Sequence, residues 1–171
     1  MRSGCSAVVI CEPSDLWVVN GQPGYLFVKI ALLGRYDSQG SKGPHFNGLS
    51  ALELGSRVVQ ALGEWEPHYR EVHRLEAGMG TLYPNVNVGA IEGGTPAKPS
   101  AVPAICNVYV DLRVAPQVDP QAALSELDEV VRGTIAATPG ARYELHVFAS
   151  NVPGALTPLE HPLVQATLAA A

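Results

Sequence analysis

Five alternating apolar residues, Cys106, Val108, Val110, Leu112 and Val114, constrain this chain more than any other feature. Ile105, Asn107, Tyr109, Asp111 and Arg113 stand between them. The segment has the two-residue period of a strand with one apolar face and one mostly polar face. A second strand is predicted from Val86 to Ile91, with Val86, Val88 and Ala90 on one side and Asn87 and Gly89 on the other. Gly93, Gly94, Pro96, Pro99 and Pro103 keep the connection between the two out of helix and sheet. Such a half-buried antiparallel pair must lay its apolar face against something.

The rest of the chain supplies the cover. From Gly24 to Gly34, Leu26, Val28, Ile30 and Leu32 share one face of a strand. A polar Gly/Pro/Ser loop over 35–47 follows, long enough for a functional role. Ser50 and Glu53 have capping-box spacing and open a helix with Leu52, Val59 and Leu62 on its stripe, ended by Gly63 and Pro67. Residues 64–84 have no clear period and read as irregular. After the central pair, Asp119 and Pro120 cap a helix striped by Leu124, Leu127, Val131 and Ile135, and Pro139-Gly140 ends it. Arg142 to Phe148 alternates again. The order β-α-β-β-α-β, with one apolar stripe per helix and one apolar face per strand, predicts an α+β ferredoxin-like sandwich. Its four-stranded antiparallel sheet carries both helices on one face, with Val86–Ile91 and Arg142–Phe148 at the edges.

The two ends fit this sandwich less well. Ser6 to Cys11 is apolar on both faces, as in a strand buried within a parallel sheet. It stops at Glu12-Pro13, so Glu12 is either a solvated turn residue or a carboxylate at the strand end where open α/β sheets place their chemistry. Strand character follows at Leu16 to Val19 with a turn at Asn20-Gly21, and a helix begins at His161-Pro162. The ends read as stubs of a host domain into which the sandwich is inserted.

Composition narrows the partners. A chain of 171 residues that is 47% hydrophobic and 16% charged can bury a core. A net charge of −5 without a basic cluster argues against nucleic acid and anionic membranes. No apolar run reaches the length of a membrane span. Three cysteines, Cys5, Cys11 and Cys106, read as buried free thiols of a cytoplasmic protein, with disulfides as the other reading.

Glu12-Pro13-Ser14, the Gly34 loop, Gly48-Leu49-Ser50-Ala51-Leu52 opening a helix, Gly93-Gly94, Val102-Pro103 and Asp111-Leu112-Arg113 occur in that order. Together they resemble the inserted dimerisation, or lid, domain of the co-catalytic zinc amidohydrolases and peptidases. That family includes acetylornithine deacetylases, succinyl-diaminopimelate desuccinylases, aminoacylases and glutamate carboxypeptidases. The resemblance implies that 1–23 is a stub of a zinc-binding catalytic domain, 24–150 the lid, and 151–171 the start of the second half of the catalytic domain. It implies a homodimer through the lid, and the edge strand Val86–Ile91, which lacks the charges that blunt Arg142–Phe148, is predicted to pair with its symmetry mate with Asn87 near the two-fold axis. It also implies two zinc ions in a full-length parent that hydrolyses N-acyl amino acids or peptides, with no tight metal binding and no activity in this chain alone. A stand-alone ferredoxin-like binding or regulatory module is the competing reading.

Site residues follow from the same resemblance. Glu12 matches a zinc ligand, a role suited to a hard carboxylate oxygen. Arg113 matches an arginine that clamps a substrate carboxylate, and its other reading is an ion pair with Asp111 or a neighbour. Ser38 stands where the family has a histidine that reaches across the dimer to the scissile carbonyl, and His45 is the imidazole in that loop that could substitute. Ser100 stands where the family has an asparagine before Val-Pro. His68, His73, His146 and His161 match no motif and read as surface or packing residues.

Overall fold

The alternating segments pair as their patterns require. The computed structural model describes residues 8–10, 15, 17–38, 46–78 and 80–170. In chain order these form β1 (Gly21–Gln22), β2 (Gly24–Leu33), β3 (Asp37–Ser38), α1 (Ala51–Val72), β4 (Leu75–Glu76), β5 (Thr81–Leu82), β6 (Val86–Gly93) and β7 (Ala101–Val102). They continue with β8 (Ile105–Val114), α2 (Pro120–Ala136), β9 (Arg142–Val152), β10 (Ala155–Leu156) and α3 (Pro162–Ala170). The main sheet has the order β6-β8-β2-β9 with every neighbour antiparallel, so β6 and β9 are the edges, as expected of the ferredoxin-like sandwich.

One layer of core joins the sheet to both helices. Leu26, Val28, Ile30 and Leu32 of β2 lie beside Cys106, Val108, Val110 and Leu112 of β8, all buried. Against them α1 sets Ala51, Leu54, Val58 and Leu62, and α2 sets Ala123, Leu127, Val131 and Ile135. Each large apolar side chain buried this way contributes about 1.5–3 kcal/mol. Both caps form: the Ser50 hydroxyl accepts from the Glu53 N–H at 3.3 Å, and the Asp119 carboxylate accepts from the Gln121 N–H at 3.0 Å, with Pro120 opening the helix. Cys106 is a buried free thiol.

Four expectations are corrected. Helix α1 runs through Gly63 and Pro67 to Val72. Pro67 has no N–H for the Gly63 carbonyl, but Gly63 faces open space, where that carbonyl can turn to water. Beyond the proline, Tyr69 is buried, stacks between Trp65 at 4.7 Å and His73 at 4.8 Å, and donates its hydroxyl to the Arg113 carbonyl at 2.9 Å. That anchor outweighs the break. Residues after Val72 form the β4–β5 hairpin, so the stretch 64–84 is largely regular. The α1 stripe is Ala51, Leu54, Gly55, Val58 and Leu62, spaced for one helix face, which turns Leu52 outward.

The third correction concerns β6. Its register slips between Val88 and Ala90: Val88 faces Val110, but Ala90 faces Tyr109 and Ile91 faces Val108. This bulge moves Ile91, rather than Ala90, onto the helix side, where it reaches Gly55. Fourth, 17–20 has no regular structure, and Gly21 pairs with Leu156 in the β1–β10 ribbon in place of a turn. Val8, Val9 and Ile10 are exposed without strand structure, and the remainder of the apolar run Ser6–Cys11 lies outside the described residues.

Candidate functional site

Two clusters of the expected residues are formed, at opposite ends of the sheet. The first surrounds the start of α1. Gly34 ends β2 where a Cβ would fall 2.1 Å from the Leu49 carbonyl oxygen, so only glycine lets the two backbones bridge. The Gly34 N–H donates to the Ala104 carbonyl, and the Ala51 N–H, at the first turn of α1, donates to the Pro103 carbonyl. These bonds tie Val102-Pro103 to the loop that leaves β2. There β3 pairs with β7, Ser38 opposite Ala101 and Asp37 opposite Val102. Ser100 therefore stands one residue beyond the partner of Ser38, so the two expected serines are brought together.

Asp37, which the sequence reading passed over, holds this loop. Its carboxylate accepts from the Ser38 N–H at 2.7 Å and the Asn47 N–H at 2.9 Å, bridging the two ends of the loop. Hydrogen bonds from the Asn47 backbone, then the Ser38 backbone, hold its carboxyl below the usual value of 3.8. An aspartate that turns its side chain onto the following backbone is an ordinary loop device, and that is the signal that could have found it. Beside the ribbon lies a hollow of about 390 Å³ lined by Ser50, Glu53, Gly94, Lys98 and Pro103. His45 lies outside the described residues.

The second cluster is on the sheet face away from the helices. Arg113 Nε and Nη2 both donate to Asp111 Oδ2, at 3.0 and 2.7 Å, and the guanidinium lies 5.4 Å from the Tyr25 ring centroid. Tyr25, Phe27, Phe148 and Tyr109 continue from it as a run of ring contacts at 4.9, 6.2 and 5.9 Å. Asp111 thus satisfies the ion-pair reading, yet it does so by orienting the fork. Its Oδ1 is buried without a partner among the described residues, and Arg113 keeps about a third of its side chain exposed. A partly exposed guanidinium oriented by a carboxylate and an aromatic ring can take a carboxylate ligand on its free edge.

Along β8, Arg113 is eight residues from Ile105, so at about 3.3 Å per residue the two clusters are roughly 26 Å apart. One copy of the chain does not unite them. Glu12 lies outside the described residues. Among the described residues no three His, Cys, Asp or Glu side chains are grouped to hold a metal ion. His73 pairs with Glu126 at 2.8 Å, and His146 is 3.2 Å from Glu144, in keeping with packing and surface roles. No described helix is long and apolar enough to cross a membrane.

Known proteins carry the same architecture. A tripeptidase from Staphylococcus aureus superposes with a TM-score of 0.63 at 18% identity, covering 90% of this chain and 36% of that one. A hydantoinase/carbamoylase family amidase from Burkholderia ambifaria gives 0.64 at 16% identity, covering 86% and 32%. In sequence, the acetylornithine deacetylase of Erwinia tasmaniensis is 30% identical over 172 residues, covering 96% of this chain and 41% of that protein. The acetylornithine deacetylase of Aliivibrio fischeri is 25% identical over 160 residues, covering 93% and 40%. The chain therefore spans about two-fifths of the length of these curated relatives. Residues 36–138, which carry the Ser38–Ser100 ribbon, α1, the β6 edge and Arg113, match the model of the peptidase dimerisation domain, and the chain belongs to that family.

Proposed function

We propose that this chain is the dimerising lid of a zinc-dependent amidohydrolase that cleaves the amide bond of N-acyl amino acids or short peptides. Each substrate pocket in that assembly is shared between two copies. The observation that carries the reading is the separation of the two clusters, taken with the open β6 edge between them. The Arg113 N–H donates to the Asn85 carbonyl, which sets the phase of the β6–β8 ladder. Asn85 and Asn87 bond to β8, and Val86 and Val88 turn their peptide groups outward. Past the bulge, Ile91 and Gly93, opposite Val108 and Cys106, turn outward in the same way.

An antiparallel partner fits this pattern when Val88 pairs with the partner's Ile91 and Val86 with the partner's Gly93. The two-fold axis then falls between Gly89 and Ala90, in place of Asn87. Val86 lies beside Leu112 and Gly93 beside Cys106. Pairing about this axis lays the glycine loop and serine ribbon of one copy at the Arg113 end of the other. Ile91 and Leu52, 46% and 41% exposed along this edge, become covered.

In this assembly Arg113 binds the substrate carboxylate with its free N–H groups and fixes the register of the amide. The partner's Ser38 and Ser100 stand beside the scissile group as hydroxyl donors. Glu12, with residues outside the described ones, would hold zinc, which would supply an activated water. The edge is tested with Ile91→Lys. The unmodified chain is expected to sediment as a dimer at tens of micromolar and the variant as a monomer with an unchanged circular dichroism spectrum. A monomeric unmodified chain at high micromolar concentration would overturn the pairing. Zinc-stimulated release of acyl groups from N-acetyl amino acids by the full-length polypeptide tests the activity.

A further inference from the structure

Basic side chains are scarce here: eleven lysines and arginines stand against sixteen acids. Four of the eleven nonetheless meet at the turn between α2 and β9. Arg132 and Arg142 line a shallow cavity of about 550 Å³ whose floor is Ile135, Thr138, Gly140 and Tyr143. Arg57 reaches over from α1 and donates from Nη1 to the Thr138 hydroxyl at 3.2 Å. Arg35 reaches over from the end of β2, its Nη2 lying 3.3 Å from where a Cβ on Gly140 would stand. The four come from four separate stretches of chain: Arg132 and Arg142 line the cavity, and Arg57 and Arg35 reach Thr138 and Gly140 beside it.

Two local charges could account for part of this. The last turn of α2 has no basic residue of its own, so its C-terminal half-charge attracts a cation from elsewhere. Glu129 lies 3.8 Å from Arg132, and Asp128 Oδ1 is taken by the Tyr143 hydroxyl at 2.6 Å. A helix end carries about half an elementary charge. That half-charge, Glu129 and Asp128, which stays charged when a neutral hydroxyl bonds it, together offset about two and a half of the four positive charges. The remaining excess of positive charge lies around a shallow concave surface. Like charges gathered this way raise the local positive potential and favour a multiply charged anion.

We propose that the α2–β9 turn binds a small phosphate-bearing anion, its oxygens bridging Arg132 and Arg142 across the cavity with Arg35 and Arg57 behind them. Guanidinium groups approaching from different directions suit the tetrahedral oxygens of a phosphoryl group, each of which accepts more than one N–H. Arg35 also holds the far end of the 35–47 loop, donating from Nη1 to the carbonyl and side-chain oxygens of Asn47. A bound anion is therefore one side chain away from the Ser38–Ser100 ribbon.

The test titrates the chain with pyrophosphate while amide resonances and the melting temperature are followed. Sodium chloride at matched ionic strength and citrate serve as comparison arms. Saturable shifts are expected at Thr138, Gly140 and Ala141 and at Asn47, together with a rise in melting temperature that sodium chloride does not reproduce. Arg132→Gln, at an exposed position, and the pair Arg132→Gln with Arg142→Gln should weaken pyrophosphate by about tenfold or more while the fold is retained. Shifts that follow ionic strength alone, or affinity undiminished in both variants, would overturn the site. Tighter binding of citrate than of pyrophosphate would overturn the phosphate class.

Discussion

At the scale of single residues, Arg113 carries the sharpest expectation. Arg113→Lys keeps the charge but loses the fork that Asp111 orients, so the full-length enzyme should show KM raised roughly tenfold with kcat less affected. An unchanged KM would leave Arg113 as half of a structural ion pair. Asp37 gives a pH expectation. Its carboxyl is held below the usual 3.8 by backbone N–H groups, so its contribution is complete above that value and is lost as pH falls through the lower folded value. Hydrogen-exchange protection of the Ser38 and Asn47 amides should fall away only in that acid range, and Asp37→Ala should abolish it at neutral pH. Tyr143 works in the opposite direction. Burial first, and then its bond to Asp128, push its hydroxyl up to about 12, so stability present below pH 10 should decline between pH 10 and 12. The alternation of the strand placed Arg113 on the polar face of the sheet, and its role was legible only through the resemblance to the zinc amidohydrolases. Asp37 was legible only in part: its turn onto the Ser38 N–H is a local device, but its second partner, Asn47, is ten residues away across a loop with no period.

Elements were legible in proportion to their periodicity. β2, β8, α2 and the order of the sheet could be read from one-face patterns and caps. The length of α1 could not, since what carries it past Pro67 is Tyr69 reaching the Arg113 carbonyl, a contact between residues 44 apart in sequence. The β6 bulge escaped for a related reason. Gly89 and Ala90 are both small, and the choice between them as the extra residue is made by β8 and by Gly55 of α1. The ladder phase separates two proline substitutions. Asn87→Pro removes a donor to β8 and should destabilise the chain by about 2 kcal/mol in denaturant unfolding. Val88→Pro removes only an outward-facing donor and should act chiefly on dimerisation, read by sedimentation. Equal effects of the two would mean that the ladder phase has been misassigned.

For the whole molecule, the separated clusters make a prediction that no single chain can satisfy. Full-length enzymes carrying Arg113→Ala and Ser100→Pro should each be impaired, and mixing them under exchange conditions should restore activity, because each mixed dimer regains one intact pocket. Failure to recover would place both residues in pockets of a single subunit. The isolated chain should hydrolyse no N-acyl amino acid with or without added zinc, since a catalytic zinc takes three protein ligands plus water. The two-cluster layout was legible in part, since Ser100 precedes the long strand and Arg113 closes it; the pairing of Ser38 with Ala101 that gathers the serines was not, because it runs across a loop with no period. The central place of β2 has a further consequence, for biosynthesis. Within the main sheet it is the first strand in sequence, yet its two neighbours are β8, with Gly24 opposite Val114, and β9, with Tyr25 opposite Val152. Until both have left the ribosome, Leu26, Val28, Ile30 and Leu32 have no ladder on either side. Folding of this domain must wait for nearly all of its length, and the nascent chain carries an unpaired apolar strand for that whole interval, the period in which chaperone contact should be densest.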